Sequence, residues 1–408
     1  MALIVQKYGG SSVADGEKIK KVAGRVAKAK DEGNRVVVVV SAMGDTTDEL
    51  IELAHQVSEQ PSYRELDLLL STGELVSSTL LAMALGSLGY KAVSLSGAQA
   101  GIQTDNSYSR ARILRVDPRR IIAELEKGNI VIVAGFQGVT ADMDVATLGR
   151  GGSDTTAVAL AASLGAEECY IYTDVDGVYT ADPHLVPQAR KLDRIGYEEM
   201  LELASYGAKV MHPRAVELGE LYQIPIVVAS SFVDRPGTVI CKEDSMEVRE
   251  ARNKVSGIAQ DTNVAKVTVI GVPDRPGIAS AIFEPLADAD ISVDTIVQNA
   301  SIENIADLTF TVARDDLSRA MAIVEPVAKE IKARRCVADA KLAKVSIVGT
   351  GMLNAPGYAA RMFRTLYDQH INIQLITTSE IRITCIIAEE RVKDAVQALH
   401  RAFELERE

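Results

Sequence analysis

The sequence predicts an α/β protein in two parts: a mostly parallel sheet sandwiched by helices, then a pair of ferredoxin-like βαββαβ units. Three observations predict it. Apolar strand-like runs alternate with helical patterns through the first 235 residues, as in a parallel sheet with crossover helices. Residues 36–40 are five consecutive valines, which suits a central strand covered on both faces. Later, Lys266-Val267-Thr268-Val269-Ile270-Gly271 recurs as Lys344-Val345-Ser346-Ile347-Val348-Gly349, an internal repeat at an offset of 78.

The first element is a strand at 3–6 that runs into a glycine-serine turn, Lys7-Tyr8-Gly9-Gly10-Ser11-Ser12. A helix follows, with Ile19, Val22, Val26 and Ala27 on one face. Strand, glycine turn and helix make an anion site: the glycines admit a phosphate, and the helix N–H groups and Lys7 point at it. A plain geometric turn uses the same glycine pair. Further strands are expected at 36–41, 91–96, 130–134, 168–173 and 226–229, and helices at 48–58, 73–88, 117–127 and 154–164. Ligands of such sheets bind beyond the carboxyl ends of the strands, where Lys7, Ser41 and Thr173 fall.

Character changes near residue 236. Pro236-Gly237 opens a connector, and 243–252 is charged and poor in large apolar residues. In the repeat, Pro276-Gly277 matches Pro356-Gly357, and Phe283, Leu286, Ile291 and Ile296 match Phe363, Leu366, Ile371 and Ile376, all at an offset of 80. The two-residue difference lies in the loop before Pro-Gly, where insertions are tolerated. The division is therefore 1–240, a linker at 241–263, and repeat units at 264–340 and 341–408. The repeat resembles the ACT domain, a small module that binds amino acids and regulates the enzyme carrying it. That resemblance places a ligand at the Pro-Gly loop and the helix N-terminus after it. Backbone chemistry agrees, because glycine permits close approach and helix N–H groups suit a carboxylate. Asp274 and Asp294 suit an ammonium group. The competing reading is a dimerisation module in which Pro-Gly only shapes the turn.

Composition narrows the function classes. The chain has 408 residues, 47% hydrophobic and 25% charged, and no Trp. Its net charge is −12 and its cations are scattered, which argues against nucleic-acid binding. Local cations such as Lys7 must therefore attract any anionic ligand. Cys169, Cys241, Cys336 and Cys385 show no CxxC, so no zinc site or disulfide framework is expected and a cytoplasmic setting fits. The N-terminal residues lack the pattern of a signal peptide, and no apolar run is expected to reach membrane-spanning length.

Several stretches carry chemistry. No GxxxxGK[ST] occurs, so the phosphate site is not a P-loop. Ser41-Ala42-Met43-Gly44-Asp45-Thr46-Thr47-Asp48 follows the valine strand and offers hydroxyls, although Thr47 or Asp48 also serves as a helix cap. Ser71-Thr72-Gly73-Glu74 reads as another helix start, with Glu74 either a capping-box acid or a carboxylate for a substrate ammonium group. Gly149-Arg150-Gly151-Gly152-Ser153-Asp154 is the most demanding segment: Arg150 suits a carboxylate, and Asp154 opens an alanine-rich helix as an ionised group or a cap. Thr173-Asp174-Val175-Asp176-Gly177-Val178-Tyr179 suits a nucleotide, with polar groups for ribose or phosphate and an aromatic near the base. It lacks the spacing of a calcium loop. Gly207-Ala208-Lys209-Val210-Met211-His212 supplies a second lysine, as phosphoryl transfer requires, while His212 reads as structural.

Together, Lys7–Val13, Ser71–Glu74, 149–156, Thr173–Tyr179 and 209–213 resemble the aspartate kinases of the amino acid kinase superfamily, and the resemblance covers essentially the whole chain. It implies transfer of the ATP γ-phosphoryl group to the β-carboxylate of L-aspartate, the first step toward lysine, threonine and methionine. It places ATP, with Mg²⁺, on Lys7, Tyr8, Gly9, Gly10, Ser41, Thr173, Asp174, Tyr179, Asp182, His184, Lys209 and Val210. It places aspartate on Thr47, Glu74, Arg150, Gly151, Gly152 and Ser153. Lys7, Asp154 and Lys209 are the catalytic set, and no direct protein ligand for a metal is expected. Lysine or threonine would sit on Asp274, Gly277, Ile278, Ala279, Asp294, Gln298, Asn372 and Ile373. The resemblance further implies a homo-oligomer paired through the ACT units, with no membrane partner. Some members also make a regulatory subunit from an internal start, for which Met246 stands here. Other superfamily members act on glutamate, acetylglutamate or UMP. A catalytically silent amino-acid sensor is the alternative from a different class.

Overall fold

A computed structural model describes residues 2–208, 210–242, 255–299, 305–352 and 356–407. Among these, one compact unit takes 2–179, 191–205 and 210–242, and a second takes 180–190, 206–208 and the residues from 255 onward. The chain thus leaves the first unit twice and returns to it.

The first unit begins with β1 (Leu3–Tyr8), α1 (Gly16–Asp31), β2 (Arg35–Val40), α2 (Thr46–Val57), α3 (Tyr63–Ser87) and β3 (Ala92–Leu95). It continues with β4 (Ile102–Thr104), β5 (Ile113–Val116), α4 (Arg119–Glu126), β6 (Ile130–Ala134), β7 (Gln137–Val139) and β8 (Val145–Thr147). It ends with α5 (Gly152–Leu164), β9 (Glu168–Thr173), β10 (Arg194–Gly196), α6 (Tyr197–Ser205), α7 (Pro213–Tyr222), β11 (Ile226–Ser230) and β12 (Thr238–Cys241). The main sheet runs β10-β12-β11-β9-β1-β2-β6-β3, all parallel except β11 against β12. The five valines of β2 are fully buried between β1 and β6, as two-sided covering predicts. β5-β4-β7-β8 form a small second sheet.

Two expectations are corrected at α3. It begins at Tyr63, ten residues before the expected start at 73, so Ser71–Glu74 lies inside the helix and Glu74 is not a capping acid. The true cap is Ser62, whose hydroxyl accepts from the Glu65 N–H at 3.5 Å. Gly73 interrupts the pattern for packing: a Cβ there would lie 2.8 Å from the Ala42 methyl. α3 is also long and apolar enough to cross a membrane by length and composition, contrary to the expectation that no run would be. Here 44% of its most apolar window is buried, and its buried residues include Asp67 and Glu74.

The second unit comprises β13 (Gly257–Pro273), α8 (Ile278–Asp288), β14 (Val293–Gln298), β15 (Ile305–Val312), α9 (Leu317–Glu330), β16 (Arg335–Val348), α10 (Tyr358–Asp368), β17 (Leu375–Thr378), β18 (Arg382–Ala388) and α11 (Val392–Ala402). Its sheet runs β14-β15-β13-β16-β18-β17. β13 and β16 pair antiparallel from Gly257–Val348 to Ile270–Arg335, and each serves both halves. Val267, Val269, Phe310 and Val324 belong to one core, and Ile258, Val345, Ile347 and Leu399 to another. The repeat is therefore real but interlocked. Residues 257–263, expected as linker, are strand, and they supply the fourth strand of the second half because Ile258 and Ala259 are buried against it. Of the other expected linker residues, Cys241 ends β12, and 243–254 lie outside the described residues.

Candidate active site

β1 delivers Lys7 to the carboxyl edge of the sheet, between Val39 of β2 and Ile171 of β9. Its Nζ lies 2.7 Å from Asp154 Oδ1, and both side chains are only about one-tenth exposed (12% and 11%). Asp154 comes from the first turn of α5, whose cap is Gly151 rather than Asp154. The carboxylate is spent on the lysine, and its second oxygen accepts from the His212 N–H at 3.4 Å. A partly desolvated ion pair of this kind holds an ammonium group in one place. Gly10 packs so closely that a Cβ would sit 2.9 Å from the Ala42 carbonyl oxygen, which makes the glycine turn a tight wall.

Ala42 ties this wall to the next group. Its N–H donates to Glu74 Oε1 at 3.2 Å, while Glu74 Oε2 is buried with no partner among the described residues. Burial pushes the Glu74 carboxyl up to about 7, only partly opposed by its backbone hydrogen bonds. Buried carboxylate oxygens ordinarily meet a donor, and the chemistry of this one suits an ammonium group. Ser41 follows β2, its N–H donating to the Tyr8 carbonyl and its own carbonyl accepting from Ser77 Oγ. Thr47 is the second residue of α2, whose first turn also carries Asp48.

The Arg150 segment is shaped by what lies beneath it. Arg150 itself is exposed. Gly151 has φ 70°, and a Cβ there would fall 2.2 Å from the His212 ring. His212 is structural, as expected: its Nδ1 accepts from the Arg214 N–H at the start of α7, and burial holds its pKa below the usual histidine value. Two further residues brace this region. Asp67 is fully buried and accepts from the N–H and hydroxyl of both Ser109 and Thr147, all between 2.7 and 3.2 Å. Arg214 donates to the carbonyls of Leu148 at 2.7 Å and Ala111 at 3.0 Å. Sequence reasoning passed over both. An acid inside the run Leu66-Asp67-Leu68-Leu69-Leu70 was the available signal, because only a fully satisfied carboxylate survives there.

In the segment expected to meet a nucleotide, Thr173 ends β9 and its carbonyl accepts from Ser231 Oγ at 2.8 Å. Thr173 Oγ1 donates to Asp174, and the Tyr179 hydroxyl donates to Asp176 at 2.6 Å. Burial, then that hydrogen bond, pushes the Tyr179 phenol up to about 12. Lys209 lies outside the described residues, and Val210 is partly buried. Asp182 and His184 belong to the second unit, where Gln260 Nε2 and the His184 N–H donate to the Asp182 carboxylate.

In the second unit, Gly277 and Gly357 both adopt left-handed φ, 91° and 104°, at the N-caps of α8 and α10. Asp294 is paired with Lys344, so its carboxylate already meets an ammonium group of the chain itself. Asp274, Ala279, Gln298 and Asn372 are exposed, Ile278 is buried, and Ile373 packs against the second core. A cavity of about 300 Å³ opens beside the other loop, lined by Gly357, Tyr358, Thr378, Ser379, Glu380 and Arg382.

Comparison with known proteins then decides the family. Residues 2–230 match the amino acid kinase family, and residues 266–328 and 345–403 each match an ACT domain. The chain belongs to the amino acid kinase family. Within that family it is 52% identical to an aspartokinase of Pseudomonas aeruginosa, over 100% of this chain and 98% of the relative. It is 50% identical to an aspartokinase of Thermus thermophilus over the full length of both. Its fold resembles E. coli aspartokinase III in complex with aspartate and ADP, at a TM-score of 0.79 and 25% identity, covering 98% of this chain and 99% of that one. The same enzyme with lysine and aspartate matches at 0.74 and 26%.

Proposed function

We propose that this chain transfers the γ-phosphoryl group of ATP to the β-carboxylate of L-aspartate, giving 4-phospho-L-aspartate and ADP. The observation that carries the reading is Glu74: a buried carboxylate with one oxygen unpaired among the described residues, as suits an amino-acid ammonium group. Arg150 grips the α-carboxylate, and Gly151, Gly152, Ser153 and Thr47 line the same acceptor. The β-carboxylate is a nucleophile at neutral pH, so no general base is required. Its oxygen attacks the γ-phosphorus in line, and the bond to the bridging β–γ oxygen breaks with its electrons leaving on ADP. Lys7, fixed by Asp154 at 2.7 Å, and Lys209 offset charge on the transferring group. Mg²⁺ would arrive with the nucleotide and add to that neutralisation. Among the described residues no group of three or more His, Cys, Asp or Glu converges.

The product is a first committed intermediate toward lysine, threonine and methionine. Lysine or threonine binds the ACT halves, the chain works as a cytoplasmic homo-oligomer paired through them, and Met246 is a candidate start for a separate regulatory subunit. The relatives named aspartokinase and the neighbours holding aspartate with ADP or lysine support this reading. The test is ATP turnover with aspartate, glutamate, acetylglutamate or UMP as acceptor, with lysine and threonine added separately and together. Aspartate-dependent turnover is expected; its absence in a nucleotide-binding protein would favour a silent sensor instead.

A further inference from the structure

Helix α3 is amphipathic in the reverse of the usual sense. Its buried residues include Asp67, Ser71, Glu74, Ser77 and Ser78, while Leu68, Leu75, Val76, Leu80 and Met83 are exposed. A helix at a protein surface ordinarily turns its apolar stripe inward. Here a polar stripe faces in, and it is bonded along its length. Ser77 Oγ donates to the Ser41 carbonyl at 2.7 Å, Glu74 Oε1 accepts from the Ala42 N–H at 3.2 Å, and the Ser71 carbonyl accepts from Gln137 Nε2 at 2.9 Å. Asp67 comes seven residues before Glu74, on the same face and about 10 Å away along the axis.

The Asp67 carboxylate is divided between two segments. Its Oδ2 accepts from the N–H groups of Ser109 at 2.8 Å and Thr147 at 2.7 Å, and its Oδ1 from their hydroxyls at 3.2 and 2.8 Å. The two segments are also fastened to each other. The Ala111 N–H donates to the Thr147 carbonyl at 2.9 Å, and a Cβ on Gly149 would fall 2.8 Å from the Ser109 carbonyl oxygen. Ser109 has φ 68°, a left-handed backbone that a residue with a side chain keeps only where its surroundings dictate it. Three residues after Thr147 comes Arg150. One helix therefore carries Glu74 itself and pins the base of the loop that carries Arg150.

We propose that Asp67 is a specificity-determining positioning residue: by pinning Ser109 and Thr147 to α3, it fixes the separation between Glu74 and Arg150, and with it the length of acceptor that reacts. This rests on the reading of Glu74 and Arg150 as contacts for the ammonium and α-carboxylate groups of the acceptor. With both groups held, the side-chain carboxylate of aspartate reaches the phosphoryl group at one distance, and the extra methylene of glutamate carries its carboxylate past the in-line position. A loop free to recede lets the longer acceptor back away and recover that position.

The test compares aspartate and glutamate as acceptors in the full-length chain and in Asp67→Ala, Asp67→Asn and Thr147→Val, with folding checked by circular dichroism. In Asp67→Ala, kcat/KM for aspartate should fall by about tenfold or more while that for glutamate does not fall in step, so the ratio of the two narrows. The KM for ATP should stay within about twofold. Where glutamate turnover is below detection, its inhibition constant against aspartate takes its place. Asp67→Asn should keep most of the wild-type ratio: the amide oxygen accepts both N–H groups, and the amide NH₂ donates to the two hydroxyls, which rotate to accept. Thr147→Val removes one hydroxyl from the clamp and should narrow the ratio by about threefold, which decides the matter if Asp67→Ala does not fold. An unchanged ratio in Asp67→Ala and Thr147→Val would overturn the proposal. So would equal losses for aspartate, glutamate and ATP, or an Asp67→Asn variant as indiscriminate as Asp67→Ala. A folded wild-type chain without aspartate-dependent turnover would instead sink the functional reading on which the proposal stands.

Discussion

The acceptor side and the nucleotide side of the site are held in different ways. Glu74 and the Arg150 segment, proposed for the acceptor, are set by Ala42, Asp67, His212 and Arg214, all residues of the first unit. The nucleotide side is built where the chain departs: Tyr179 is the last residue before one excursion, and Lys209 the first after the other. One stretch is therefore braced by the core of its own unit, and the other flanks the points where the chain leaves that unit and returns to it.

The sharpest test of that contrast is Lys7→Ala. It removes the cation proposed to offset charge on the transferring group and should lower kcat by about a hundred- to a thousandfold, with the aspartate KM nearly unchanged. Steady-state kinetics with each substrate varied in turn would show it, and wild-type turnover would break the assignment. Asp67→Ala attacks the brace on the acceptor side. It strands four donors, the two of Thr147 buried and the two of Ser109 partly so, and should cost about 3 kcal/mol of stability, read from urea denaturation. Full stability would mean that the Arg150 loop is not held from below.

Glu74→Gln keeps the shape but removes the charge, and should raise the KM for aspartate by about tenfold with a smaller change in kcat. The pH dependence follows from the elevated carboxyl. The free enzyme carries a proton on Glu74 below about 7, so kcat/KM for aspartate should rise as pH climbs through that value and flatten in the glutamine variant. The folding contribution has the opposite slope. Between the ordinary 4.5 and about 7 the folded state keeps a proton that the unfolded state has released, so this group's contribution to stability falls as pH rises across that window. An identical stability slope in wild type and Glu74→Gln would contradict the burial argument. Ser62→Ala is the mildest change. Its cap bond is long at 3.5 Å, so a loss of only about 0.5 kcal/mol is expected, with kinetics unaltered.

Much of this contrast was legible beforehand and some was not. The valine strand, the glycine turn with Lys7 and the Gly149–Asp154 segment stand out because local chain geometry dictates them. The pairing of Lys7 with Asp154 joins residues 147 apart and could be expected only from the family resemblance. Helix α3 was cut short because Ser71-Thr72-Gly73 mimics a helix start, whereas the glycine is there to clear the Ala42 methyl of another element. Asp67 escaped for the same reason: its partners lie 42 and 80 residues away, and periodicity sees only neighbours. The repeat was visible, but its interlocking was not, since one strand serving two cores looks like a single apolar run.

That interlocking has a consequence for biosynthesis. Residues 257–261 emerge from the ribosome long before 342–348, the segment they must pair with, so the inner half can close while the outer half still waits for its own C-terminal helix. The outer half thus has the larger loop to close and should be the later and slower to form. A shortened product begun at Met246 keeps this early strand and can complete both halves. One begun beyond residue 264 would leave the flank of β16 with unpaired backbone groups, an open edge inviting association with another chain.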